Sequence, residues 1–141
     1  MTATSDRTAR LQELFTPRVW TTELFADFWT DPDLSFVPRI ITDDIVGHWP
    51  GRTVRGADEY MAALTQLLEW IPDLHLEVPE RVMSGDLGFT RWIMHGTGAA
   101  GPFVLDGMDR TRVRDGLVCE NYIFFDRVQL EAHLTGTQPP A

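Results

Sequence analysis

Asp109 is the residue whose setting most directly suggests chemistry. It lies in Phe103–Val113, a run with the period of an extended strand, in which successive side chains point to opposite faces. Phe103, Leu105, Gly107, Thr111 and Val113 fall on the same face as Asp109. The opposite face takes Val104, Asp106, Met108 and three arginines, Arg110, Arg112 and Arg114. The arginines send that face to solvent or to a partner, so Asp109 is expected to face inward among apolar groups. Desolvation raises the pKa of such a carboxylate, which suits a general acid or base near neutral pH. The competing reading is a structural ion pair with a nearby arginine.

Other polar residues offer partners for such a base. His48 sits on a short extended stretch, Ile45–Trp49, and His95 shares a face with Phe89, Arg91 and Ile93 in Leu87–Thr97. Either histidine can serve as acid, base or donor to a substrate carbonyl, or be satisfied by backbone in a crowded interior. Arg91 can hold an enolate oxygen or orient Asp109, and Asn121 can donate to the same oxygen. Trp29, Trp49, Phe103 and Leu105 are candidate walls of a small-molecule site. His75 and His133 read as exposed.

The elements that must position these residues follow from periodicity. Thr16-Pro17 reads as a helix start, with Trp20, Leu24, Phe25, Phe28 and Trp29 on one stripe ended by Asp31-Pro32. A short helix follows around Leu34–Ile41, then a hairpin turned by Pro50-Gly51. Residues 57–71 form the longest helix, with apolar positions three and four apart, ended by Pro72. From Leu74 the period becomes two, and Pro79-Glu80 marks a bulge or an edge. Residues 87–97, 103–113 and 117–125 are expected to be neighbouring antiparallel strands. Ser84-Gly85-Asp86 turns into the first of them, Gly98–Pro102 joins the first two, and Asp115-Gly116 makes a tight hairpin into the third. Asp126 can cap a last short helix. Residues 1–7 and 135–141 read as frayed ends of a single domain with its core at 18–134.

Composition narrows the partners. The formal net charge is −9, all twelve basic residues are arginine, and no basic patch is dense enough for a phosphate backbone. Nucleic acid is therefore disfavoured, and without lysine there is no Schiff-base chemistry on a side-chain amine. No apolar run approaches the length of a membrane span. The single cysteine, Cys119, suits a reducing, cytoplasmic setting. There is no paired His or Cys/His spacing, no glycine-rich phosphate loop and no Gly-x-Ser-x-Gly elbow, so the expectation is no metal and no cofactor.

Several words of the sequence carry a resemblance. They are Asp44-Ile45-Val46 with Trp49-Pro50-Gly51 and Arg55-Gly56, Thr90-Arg91-Trp92 with Gly96-Thr97, and Asp115-Gly116-Leu117-Val118-Cys119-Glu120-Asn121-Tyr122 closing on Asp126. In that element order, over roughly residues 18–134, the chain resembles the SnoaL-like polyketide cyclases of the nuclear transport factor 2-like superfamily. The resemblance implies an α+β fold, a cone-shaped barrel whose curved, mostly antiparallel sheet wraps N-terminal helices around a deep pocket. It puts the Arg91, Asp109 and Asn121 faces and His48 on the pocket side, with an inner-face Asp as the acid–base group. It also implies a dimer through the convex face, here expected to bear Trp92, Met94, Val104, Met108, Tyr122 and Phe124. Ile93 and Ile123 stand where epoxide-hydrolysing relatives place acids, which counts against that chemistry. The superfamily hosts many functions, so the fold does not choose among them. The reading is cofactor-free proton transfer on a small hydrophobic, carbonyl-bearing molecule of secondary metabolism, giving cyclisation, isomerisation or dehydration. The alternative is a non-catalytic ligand-binding or dimeric accessory protein.

Overall fold

A computed structural model describes residues 3–137. The order is α1 (Ala3–Phe15), α2 (Thr22–Phe28), a 3-10 turn (Leu34–Arg39), β1 (Ile41–Trp49), β2 (Arg52–Arg55), α3 (Ala57–Trp70), β3 (His75–Ser84), β4 (Leu87–Gly98), β5 (Gly101–Arg114), β6 (Leu117–Phe125) and α4 (Arg127–Thr135). The six strands form one open sheet in the order β2-β1-β6-β5-β4-β3. All neighbours run antiparallel except β1 and β6, which pair in parallel. The concave face packs on the helices, and Phe15, Leu24, Phe28, Phe36, Leu64 and Ile71 are among the buried core.

Local rules place these elements. Asp115 and Gly116 both take positive φ, 53° and 84°, as a two-residue hairpin turn requires. The Asp126 carboxylate accepts from Gln129 N at 3.1 Å and caps α4. The register of β3 on β4 shifts between Glu77 and Glu80, around Pro79, and β3 is also an edge of the sheet. Among the described residues the longest helix is α3, as its periodicity suggests.

The N-terminal helices differ from the sequence reading. The segment expected to fray is helical from Ala3 onward, while residues 1–2 and 138–141 lie outside the described residues. Helix α1 is tied to α2 by Arg7 and Arg10, which donate to the Asp27 carboxylate. Thr16-Pro17 does not start a helix. Trp20 N donates to Gly116 O at 2.8 Å, and Arg18 has φ 51°, so this segment is drawn across the β5–β6 hairpin instead. The next helix begins at Thr22, capped by the Thr21 hydroxyl, which accepts from Leu24 N.

Strand β4 takes a register on β5 different from the one its sequence suggests. Placing the turn across Gly98–Pro102 pairs Arg91 with Asp109 and brings Arg91, Ile93 and His95 inward. In the structure Gly98 pairs with Gly101 around a shorter turn, and Thr90 lies opposite Asp109. A one-residue shift of register exchanges the faces of a strand. Thr90, Trp92 and Met94 are therefore buried, and Phe89, Arg91, Ile93 and His95 look outward.

The same register sets Trp92 against Gly107. A Cβ on Gly107 would stand 2.1 Å from the Trp92 indole, so only glycine leaves room for the ring. Gly107→Ala is expected to destabilise the protein by about 1–3 kcal/mol through overpacking. The check is a lower urea midpoint with an unchanged m-value.

Candidate active site

Asp109 stands in the middle of β5 on the concave face, only 7% exposed. Trp92 Nε1–H donates to its Oδ1 at 2.8 Å. Asn121, on β6, directs Nδ2 to Asp109 Oδ2 at 3.4 Å and to the Tyr60 hydroxyl oxygen at 3.0 Å. One amide thus joins a carboxylate from the sheet to a phenol from α3. Tyr60 reaches this position because Gly47 of β1 faces it; a Cβ there would lie 2.9 Å from its ring. Thr90 Oγ1 and Asn121 Oδ1 are also buried, and neither has a hydrogen-bond partner among the described residues.

Burial governs the electrostatics. It disfavours the Asp109 carboxylate and pushes its pKa up to about 6, against the hydrogen bonds from Trp92 and Asn121. Burial, and then the charge of Asp109, push the Tyr60 phenol well above its ordinary range, against the bond from Asn121. Tyr60 therefore stays protonated at neutral pH and keeps an O–H to donate.

These groups border a cavity of about 90 Å³ between the concave sheet and the helices. Trp20, Trp29, Trp49, Trp92 and Phe25 supply much of its aromatic wall, and Asp109 is the one charged side chain among the described residues that line it. Such a space suits an apolar, uncharged molecule with a polar group to orient.

The structure brings together only part of the site read from sequence. Asp109, Asn121, Trp29 and Trp49 border the cavity. Phe103 and Leu105 share the concave face but do not border it. Phe103 stacks instead on His133 of α4, with ring centroids 4.6 Å apart.

The remaining three lie on the convex face. Arg91 donates to Glu80 at 2.6 Å and to Asp106 at 3.3 Å. His95 bonds Glu77 and stacks on His75. His48 bonds Glu120 at 3.0 Å and stacks on Tyr122, its partner across the β1–β6 pairing. The bond from His48, and then that from Arg110, hold the Glu120 carboxyl below its usual range. These three side chains are held by carboxylates on the convex face, away from the cavity.

Tyr60 and Trp92 were the residues to add. A phenol on an otherwise aliphatic helix stripe, and an indole on a buried strand face, each need a hydrogen-bond partner when buried. Among the described residues, no three His, Cys, Asp or Glu side chains come together as a metal ion would need.

A model of the SnoaL-like domain matches residues 22–121. The chain belongs to this family. No curated protein matches the sequence significantly. Among solved structures, IdmH from Streptomyces antibioticus, a proposed polyketide cyclase, is 24% identical over 94% of this chain and 99% of its own, with a TM-score of 0.65. A proposed SnoaL-like polyketide cyclase from Jannaschia sp. CCS1 is 17% identical over 89% of this chain and 94% of its own, with a TM-score of 0.73. A protein of ketosteroid isomerase-like fold from Catenulispora acidiphila, solved with trimethylamine, is 16% identical over 82% of this chain and 91% of its own, with a TM-score of 0.71. The SnoaL-like domain thus has the α+β fold of the nuclear transport factor 2-like superfamily, with a curved sheet that does not close.

Proposed function

We propose that this SnoaL-like domain is a cofactor-free enzyme that moves a proton α to the carbonyl of a small hydrophobic substrate. The observation that carries the reading is Asp109, a buried carboxylate bordering an apolar cavity and joined through Asn121 to the Tyr60 hydroxyl. Asp109 takes the α-proton, and its C–H bonding pair moves into the enolate. Tyr60 O–H donates to the carbonyl oxygen as negative charge develops there, among largely apolar walls. Trp92 and Asn121 fix the carboxylate. The enolate then has three outcomes. Return of the proton to another carbon gives an isomer, attack on a second carbonyl closes a ring, and expulsion of a β-hydroxyl dehydrates. Cyclisation accords with the proposed activity of IdmH.

The test needs no knowledge of the natural substrate. Acetophenone in D₂O should lose its methyl proton signal faster with the protein than without it. A non-catalytic ligand-binding domain is the second reading, and the double hydrogen bonding of Asp109, which a purely structural carboxylate would share, favours it. It requires acetophenone to bind without exchanging faster.

Assembly is part of the proposal. Trp92 and Met94 are buried inside the protein, so they leave the outer patch expected from sequence. Val104, Met108 and Phe124 remain on the convex face at 58%, 44% and 56% exposure, beside Tyr122. Large apolar side chains grouped on one face mark an interface, and a second copy packed face to face would cover them. Light scattering at micromolar concentration should report a dimer, and Phe124→Arg should shift it to monomer. A monomeric wild type would contradict the assignment. The lone Cys119 thiol suits a reducing cytoplasm.

A further inference from the structure

Two hollows meet at a wall of three side chains. Trp49, Leu67 and Phe125 border the cavity of Asp109 on one side and a second space on the other. The inner cavity is about 90 Å³, and the second, between α3, α4, the β1–β2 turn and the β4–β5 turn, is about 810 Å³. One water-sized group takes about 10–15 Å³ on such a scale. The inner space therefore admits about one ring and its carbonyl, and a larger molecule must extend beyond the wall.

The wall is suited to such a crossing. Trp49 and Phe125 are only partly buried, and the larger hollow gives them room to turn. The Trp49 indole N–H is buried and has no acceptor among the described residues. Buried donors rarely stand unpaired, and an oxygen on a ligand passing the wall would satisfy this one. The two sides also differ in charge. Among the described residues Asp109 is the one charge within, whereas Arg52, Arg127 and Glu131 border the outer hollow.

We infer that the hollow beneath α4 is an outer subsite of the Asp109 cavity. It takes the extended part of an elongated ligand whose ring-sized, carbonyl-bearing head lies beside Asp109, the ligand passing Trp49, Leu67 and Phe125. This rests on the reading of the Asp109 cavity as the ligand site. The rim of the hollow sets the length of ligand accepted. Gln66 of α3 and Ala99 of the β4–β5 turn are both exposed there, so larger side chains at these positions can fill the hollow without repacking the core.

The experiment compares acetophenone with 4′-hexylacetophenone, which carries the same head, by calorimetric titration of the intact protein. Even partial burial of the six-carbon chain should tighten binding to wild type by about tenfold or more. Gln66→Trp and, separately, Ala99→Trp should each remove most of that gain and leave acetophenone affinity within about twofold, since neither residue borders the inner cavity. The subsite is overturned if the hexyl chain adds no affinity, or if the gain survives both substitutions. If neither ketone binds, the Asp109 cavity is not a ketone site, and both readings fall together. If acetophenone binds and exchanges but the chain adds nothing, only the subsite fails.

Discussion

Asp109→Asn is expected to keep the fold and ketone binding while slowing α-proton exchange by about 10²–10⁴-fold, the usual contribution of a positioned base. The substitution is nearly isosteric. Its Oδ1 can still accept from Trp92, and Asn121 can turn its partnerless Oδ1 toward the new amide. Stability supplies an independent check with a defined sign. Burial raises the folded-state pKa of Asp109 from 3.8 to about 6. Its contribution to stability is therefore fully present below pH 3.8 and lost as pH rises through 6. The difference of about two units between these values is on the order of 3 kcal/mol. The Asn variant should thus match wild type near pH 3.5 and become the more stable protein by pH 8, in paired urea titrations. Equal stability differences at both pH values would show that the carboxylate is not held in the buried setting described.

Tyr60→Phe should lower kcat for the same exchange by about 10²–10³-fold, the scale of losing one oxyanion donor. The KM for acetophenone should move little, because the hydroxyl acts mainly on charge that develops during the reaction. The fold should survive. Only the Asn121 amide loses an acceptor, a cost of about 1–3 kcal/mol for a buried group. A variant that loses stability but exchanges at the wild-type rate would show that Tyr60 is a structural partner of Asn121 and nothing more.

Much of the fold was legible because its signals are local. The Asp-Gly hairpin, the apolar period of α3, the Asp126 cap and the Pro79 bulge each follow from a few adjacent residues. Asp109 was readable for a similar reason, since three arginines at alternate positions assign one face of β5 outward and leave Asp109 on the other. The site was harder because its geometry depends on pairing between distant strands. The resemblance places Arg91 and His95 inward, which needs β4 one residue out of its observed register on β5, and β4 carries apolar side chains on both faces, so its own sequence does not betray the error. His48 was misplaced because its face is set by the parallel pairing of β1 with β6, over seventy residues away in sequence. Tyr60 was hidden in a helix stripe, where a phenol counts as core until its hydroxyl is asked for a partner.

The most direct test of the central claim is to follow the Asp109 side-chain carboxyl by ¹³C NMR across pH, beside the rate of acetophenone exchange in D₂O. The carboxyl should titrate with a midpoint near 6, and kcat/KM for exchange should rise to a plateau with the same midpoint. A carboxyl midpoint near 3.8, or an exchange rate that does not follow the Asp109 titration, would contradict the assignment of Asp109 as the base.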